Sequence, residues 1–149
     1  MSKIIQAETR YRVLKYFKKD PHTLGCEQGF SLVMCRIITG KTHQIRKHME
    51  YIGHPIVSDW IYAPQTEVDY TRRFCPRVFL HHMEINMPEP FGRGVRKSFF
   101  AQLPKQLLNV IDNYLTECPD LNSELEEHTA RNERRLDQMF QMSKQTPTR

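Results

Sequence analysis

The chain has 149 residues, 39% hydrophobic and 26% charged, enough for one domain with a sizeable core and hardly for two. No apolar run approaches the roughly 20 residues needed to cross a bilayer, and the opening Met-Ser-Lys-Ile-Ile-Gln lacks a signal-peptide core, so neither a membrane partner nor a cleaved leader is expected. The net charge of +5 is unevenly spread: residues 1–119 hold 17 Lys and Arg against 11 Asp and Glu, while residues 120–149 hold 5 against 6. A basic body fits nucleic acid, an anionic membrane or an acidic partner, and charge alone does not choose.

Taken in order, Thr9 to Phe17 alternates well enough for a strand with one wet face, broken at Lys18-Lys19-Asp20-Pro21-His22. A loop through Gly25 and Gly29 leads to Phe30–Ile38, whose apolar residues fall on both faces, so a central strand antiparallel to the first is expected. Thr39-Gly40-Lys41-Thr42-His43-Gln44-Ile45-Arg46-Lys47-His48 then reads as a glycine turn and the start of a basic helix. Thr42 is its expected N-cap, Ile45, Met49 and Ile52 its packing face, and Gly53 its stop. Polar donors crowding that N-terminus suit an anion such as phosphate.

Gly53–Tyr62 is irregular, and Pro64–Val78 reads as a polar surface excursion, partly helical, carrying Arg72, Arg73 and Arg77. Val78–Met87 is a third expected strand, ended by Pro88-Glu89-Pro90, and Ser98–Ala101 a short edge strand. Pro104 opens a helix with Leu107, Leu108, Ile111 and Leu115 as its stripe. From Cys118-Pro119 the composition turns to Glu and Arg, which predicts an exposed charged helix and a disordered tail, and divides the chain into a body at 1–118 and an extension at 119–149. The class expected is α/β (α+β): a mixed, mainly antiparallel sheet flanked by helices.

Cys26, Cys35, Cys75 and Cys118 form no C-x-x-C pair, and Cys26, Cys35, His43 and His48 match no usual zinc spacing. Free thiols, no metal and no cofactor are expected. This suits an intracellular protein, whether cytoplasmic, nuclear or organellar, mitochondria included.

Thr39-Gly40-Lys41-Thr42-His43-Gln44-Ile45-Arg46-x-His48, followed by Gly53-His54-Pro55-Ile56-Val57-x-Asp59, resembles the RluA-type family of RNA pseudouridine synthases. The likeness extends through Ala7-x-Thr9-x-Tyr11-Arg12-Val13-Leu14, Phe30-Ser31-Leu32-Val33-x-Cys35, Phe79-Leu80-His81 and Leu103-Pro104, in the family's order from about residue 6 to 116. It implies a partial pseudouridine synthase catalytic fold and a partner in ribosomal or transfer RNA, from which such enzymes flip a uridine into a pocket. It assigns Arg46 to pairing with the family's nucleophilic aspartate; the polar and basic residues Lys41, Thr42, His43, Gln44, Lys47, Arg72 and Arg73, clustered on one face, are read as the RNA contacts. Lys41 stands where the family usually has arginine, losing the bidentate fork, and Ser58 and Ala63 replace common glycines, so the backbone there is expected to differ if those glycines held positive φ.

The family's aspartate lies in a His-Arg-Leu-Asp element before a Thr-Ser/Thr-Gly turn, upstream of the matched region, as does its stacking tyrosine. Arg135-Leu136-Asp137 imitates the tripeptide, but Gln138-Met139-Phe140 follows it and the charged helix absorbs it. Two functions are therefore expected: a non-catalytic RNA-binding component of an assembly such as a ribosome, or one part of a split or truncated synthase whose aspartate comes from another segment or chain. A protein partner would meet the exposed sheet edge or the charged C-terminal helix.

Overall fold

The computed structural model describes residues 6–19, 29–91 and 94–144. Its elements are β1 (Thr9–Lys19), β2 (Gly29–Ile37), α1 (Gln44–Tyr51), α2 (Gln65–Thr71), β3 (Glu84–Pro88), β4 (Arg96–Phe100), α3 (Lys105–Tyr114), β5 (Leu115–Glu117) and α4 (Pro119–Lys144). The class is α/β, as the sequence implies, with the strands divided between a three-stranded sheet ordered β2-β1-β5 and an antiparallel pair, β3-β4. No helix among the described residues is long and apolar enough to cross a membrane.

The chain folds as two compact units, residues Met1–Tyr11 with Cys35–Leu115, and Arg12–Met34 with Thr116–Arg149. In the first, the buried apolar side chains are Met49 on α1, Val68 on α2, Phe74 and Cys75 just after it, and Leu107 and Val110 on α3. Phe74 stacks on Tyr114 with centroids 5.9 Å apart and meets Tyr70 edge-on at the same separation, so the end of α2 is joined by aromatic contacts to the end of α3. Contrary to the surface excursion expected of residues 64–78, this segment supplies much of the core. Val68, Thr71 and Cys75 recur at helical spacing and turn inward, while Arg72 and Arg73 between them face water.

In the second unit Phe17 is the buried apolar residue among the described residues, and Asn122 near the start of α4 finishes the strand edge. Its side-chain oxygen accepts from the Tyr16 amide at 2.7 Å and its amide donates to the Tyr16 carbonyl at 3.2 Å, so one side chain imitates a strand partner. The rest of α4 is mostly exposed through Arg131, as its charge predicts. Arg135-Leu136-Asp137 lies within its span; the terminal residues 145–149, and Cys26 with the loop through Gly25, lie outside the described residues.

Three further expectations are corrected. β2 is not central: β1 holds the middle of the sheet, and β2 is only half-covered among the described residues, with Phe30, Leu32, Val33 and Cys35 half-buried and Met34 and Ile37 exposed. The third strand begins at Glu84 rather than Val78, because the Leu80 amide closes on Val78 O at 2.8 Å and Arg77 Nη2 takes the Leu80 carbonyl at 2.9 Å, leaving no ladder to start there. On α3 the stripe is turned slightly: Leu107 and Val110 are buried, whereas Leu108 is exposed.

Candidate functional site

The basic helix starts one residue later than its sequence suggests. The Gln44 amide donates to the Lys41 carbonyl at 3.0 Å, closing a turn that leaves His43 as N-cap in the left-handed region at φ 55°, with no side-chain cap. Thr42 is therefore not the cap. Gly53 ends the helix at φ 83°, the left-handed stop its sequence predicts.

The buried face of α1 is also rotated from the expected one: Ile52 is exposed and Gln44 takes an inward place beside Met49. Gln44 is 5% exposed, and its oxygen accepts from Thr39 Oγ1 at 2.8 Å and the Lys41 amide at 3.2 Å. Its amide nitrogen donates to the Glu8 carbonyl at 2.9 Å and Thr9 Oγ1 at 3.0 Å. Every hydrogen-bonding position of that side chain is spent inside the fold, so Gln44 clamps the entry to β1 instead of facing RNA. His48 Nδ1 reinforces the clamp at 2.9 Å from Thr9 Oγ1.

Two residues along α1 from Gln44, Arg46 meets a carboxylate that spacing does not single out. Its Nε donates to Asp59 Oδ2 at 2.7 Å and its Nη2 to Asp59 Oδ1 at 2.5 Å, a bidentate fork. Asp59 has no exposed surface, and its Oδ1 also faces the backbone amides of Ile61 at 3.2 Å and Tyr62 at 3.3 Å. Burial would raise its carboxyl, but the Arg46 fork and the two amides outweigh burial and hold it below the ordinary carboxylate range. The same contact raises Arg46 further above its ordinary value.

The loop that presents Asp59 is fastened from behind. Ser58 sits at φ 60°, so the chain takes up the left-handed conformation here without a glycine. Its hydroxyl donates to the Cys75 carbonyl at 2.6 Å, and its amide donates to Thr71 Oγ1 at 3.2 Å, which in turn donates to the Glu67 carbonyl at 2.8 Å. The Asp59 amide closes the turn on Ile56 O at 3.0 Å. Cys75 has no exposed surface, and burial pushes its thiol up, which disfavours the thiolate.

Around the ion pair runs an aromatic array. His43 Nδ1 lies 3.1 Å from the Tyr62 hydroxyl, Arg46 stands 4.9 Å from the Tyr62 ring centre and 5.6 Å from that of Trp60, and Arg72 stands 5.3 Å from the Trp60 ring centre. His43, Arg46 and Arg72 are thus brought together through two rings, although 29 residues separate the first from the last. Lys41, Thr42, Lys47 and Arg73 are exposed, and none of the three cations among them has a carboxylate at salt-bridge distance among the described residues. Residue spacing does not mark Asp59, Trp60 or Tyr62; the signal available is that Asp59 closes the Gly53-to-Asp59 motif and the two aromatic residues directly follow it.

Similarity to known proteins takes in β1, β2 and α1. A family model described as RNA pseudouridylate synthase matches residues 5–51. An uncharacterized RNA pseudouridine synthase, YlyB, of Bacillus subtilis is 37% identical over 92 residues, 62% of this chain and 28% of that protein. The ribosomal large subunit pseudouridine synthase D of Pseudomonas aeruginosa is 36% identical over 111 residues, 68% of this chain and 31% of its own length. The dual-specificity RNA pseudouridine synthase RluA of Vibrio cholerae is 33% identical over 109 residues, 70% of this chain and 39% of its own. The chain spans well under half of each of these relatives.

Proposed function

This chain belongs, over the part of the fold that it carries, to the RluA-type RNA pseudouridine synthases, and on that premise we propose that it binds RNA through the cations around α1 and α2 without isomerising uridine by itself. The observation that carries this reading is Asp59. It is the carboxylate that Arg46 grips, it has no exposed surface, and both of its oxygens are already engaged. A nucleophile must come within about 3–3.5 Å of the reacting carbon, and a carboxylate so enclosed cannot present an oxygen to a base. The His-Arg-Leu-Asp element with its following turn occurs nowhere in the 149 residues.

The cations assigned to RNA, Lys41, Lys47, Arg72 and Arg73, are exposed and free of carboxylates among the described residues, which suits phosphate contacts. His43 and Thr42 lie exposed beside them. The role that follows is that of an RNA-holding component within a larger RNA-containing assembly such as a ribosome.

A second reading has its own observation. The exposed apolar side chains Ile37, at the end of the edge strand β2, and Ile38, just after it, are the kind of surface that another segment or chain can cover while bringing the aspartate. Either way, binding to a stem-loop RNA is expected to weaken steeply with salt. A quadruple alanine variant at Lys41, Lys47, Arg72 and Arg73 should lower affinity and flatten the slope of log K against log salt by up to about 3 for a single strand. An unchanged slope would reject these contacts.

A further inference from the structure

Every residue of β3 and of β4 is exposed. A two-stranded hairpin wet on both faces is marginal in water, where three or more strands are the usual minimum. The two edges of this pair differ. The Ala101 amide donates to the Met83 carbonyl at 2.8 Å and the Glu89 amide to the Val95 carbonyl at 2.9 Å. At the two-residue period of an antiparallel ladder, the backbone groups that point away from the pair are then those of Glu84, Asn86 and Pro88 on β3 and of Arg96, Ser98 and Phe100 on β4. The β3 edge is largely closed, because Pro88 has no amide proton and the Asn86 carbonyl already accepts from Arg96 Nη2 at 2.8 Å. The β4 edge is open, with no further strand beside it among the described residues.

We propose that β4 pairs with β4 of a second copy of this chain, antiparallel about a two-fold axis at Ser98, which joins the two hairpins into one four-stranded sheet. The strand is its own complement. In the register that overlaps all five residues, Arg96 faces Phe100 of the second copy, Lys97 faces Phe99 of the second copy, and Ser98 faces itself. The charged heads are already engaged on β3: Arg96 Nε donates to Asn86 Oδ1 at 2.5 Å, and Lys97 Nζ to the Glu89 carboxylate. What each cation offers across the axis is its aliphatic stem, so the exposed rings of Phe99 and Phe100 are covered without stripping water from an unpaired charge. A register moved by two residues would set Lys97 against itself, which selects the one centred on Ser98. A strand of another chain could use the same open edge, but only a second copy is bound by symmetry to place a stem opposite every ring.

The full chain, freed of RNA, is followed by sedimentation equilibrium at rising concentration. A ladder of five residues a side is small against the roughly 1,200 Å² of a stable interface, so a weak dimer, half-formed at about 10–100 µM, is expected. Ser98→Pro removes the outward amide at the axis and no bond to β3, so it should weaken the dimer about tenfold or more while the circular dichroism stays that of the wild type. Ser98→Cys supplies a trap. Residues facing each other in a hydrogen-bonded antiparallel pair have Cα atoms about 5.5 Å apart, within disulfide reach. Oxidised glutathione, itself reduced as the two thiols are oxidised, should therefore link Ser98→Cys into a covalent dimer, with the bond mapped to position 98 by peptide mass spectrometry. A chain that stays monomeric at about 500 µM, a dimer that Ser98→Pro leaves unchanged, or a Ser98→Cys dimer not linked at position 98 overturns the proposal. If Ser98→Pro alters the circular dichroism, the link at position 98 decides alone. The RNA-binding reading stands or falls separately, since none of these measurements involves RNA.

Discussion

Asp59→Asn tests the ion pair directly. The substitution preserves shape and removes the charge, leaving an amide that offers Arg46 one acceptor and one donor in place of two acceptors. Arg46 loses one of its two bonds, at 2.7 and 2.5 Å, and its guanidinium is left without a countercharge where its side chain is only 12% exposed. Breaking a buried pair from one side costs about 3–5 kcal/mol. The Tyr62 and Trp60 rings still face the cation, which places the expected loss near the lower end, about 3 kcal/mol, or roughly 6–12 °C in Tm for a chain of this size. Urea unfolding followed by circular dichroism measures it. The pH dependence adds a signature. Because folding lowers the Asp59 carboxyl below its ordinary 3.8, the unfolded chain takes up that proton first, so the stabilisation is full above pH 3.8 and fades as pH falls through the folded value. The gap between wild type and Asp59→Asn should hold steady at neutral pH and narrow in strong acid. A loss under about 0.5 kcal/mol, or a gap that widens with acid, would refute the claim that the fork holds this loop.

Two other substitutions separate structural from RNA-facing roles. Gln44→Ala should cost about 2–3 kcal/mol, since it strands groups that the side chain satisfies, while RNA affinity of the folded protein stays unchanged; lost affinity at unchanged Tm would return Gln44 to the RNA surface. At Ser58, alanine should destabilise more than glycine, because both forfeit the bond to the Cys75 carbonyl but only glycine relieves about 1–2 kcal/mol of left-handed strain; denaturation of the two variants side by side gives the order, and equal losses would argue against the strain.

What was legible in the sequence divides along physical lines. β1, α1 and α3 announce themselves by local periodicity, and Pro104 and Gly53 by backbone chemistry, so their places follow from neighbouring residues alone. Residues 64–78 were hidden because the inward positions Val68, Thr71, Phe74 and Cys75 alternate with Arg72, Arg73 and Arg77, whose charge masks the stripe. β2 shows the reverse case. Its apolar residues on both faces describe a strand that is covered, and cover is a property of what lies beside it, not of its own nine residues.

At the site, Arg46 was marked by its motif, and its partner was not, because the contact joins a helix to a loop 13 residues on and no periodicity links them. Gln44 was misplaced for a related reason. In a basic stretch a polar residue reads as surface, and only the closing turn at Lys41 reveals that it points inward to meet the backbone of Glu8. The array from His43 through Tyr62 and Trp60 to Arg72 likewise depends on the loop fastened by Ser58, which no local pattern encodes.

The most direct measurement is pseudouridine content, by mass spectrometry, of a stem-loop RNA incubated with the purified chain freed of RNA and of other proteins. The result expected is an RNA that is bound at low salt and carries no pseudouridine, with Arg46→Ala giving the same zero. Conversion of uridine by this chain alone, abolished when Arg46 is removed, would contradict the proposal that it binds RNA without isomerising uridine by itself.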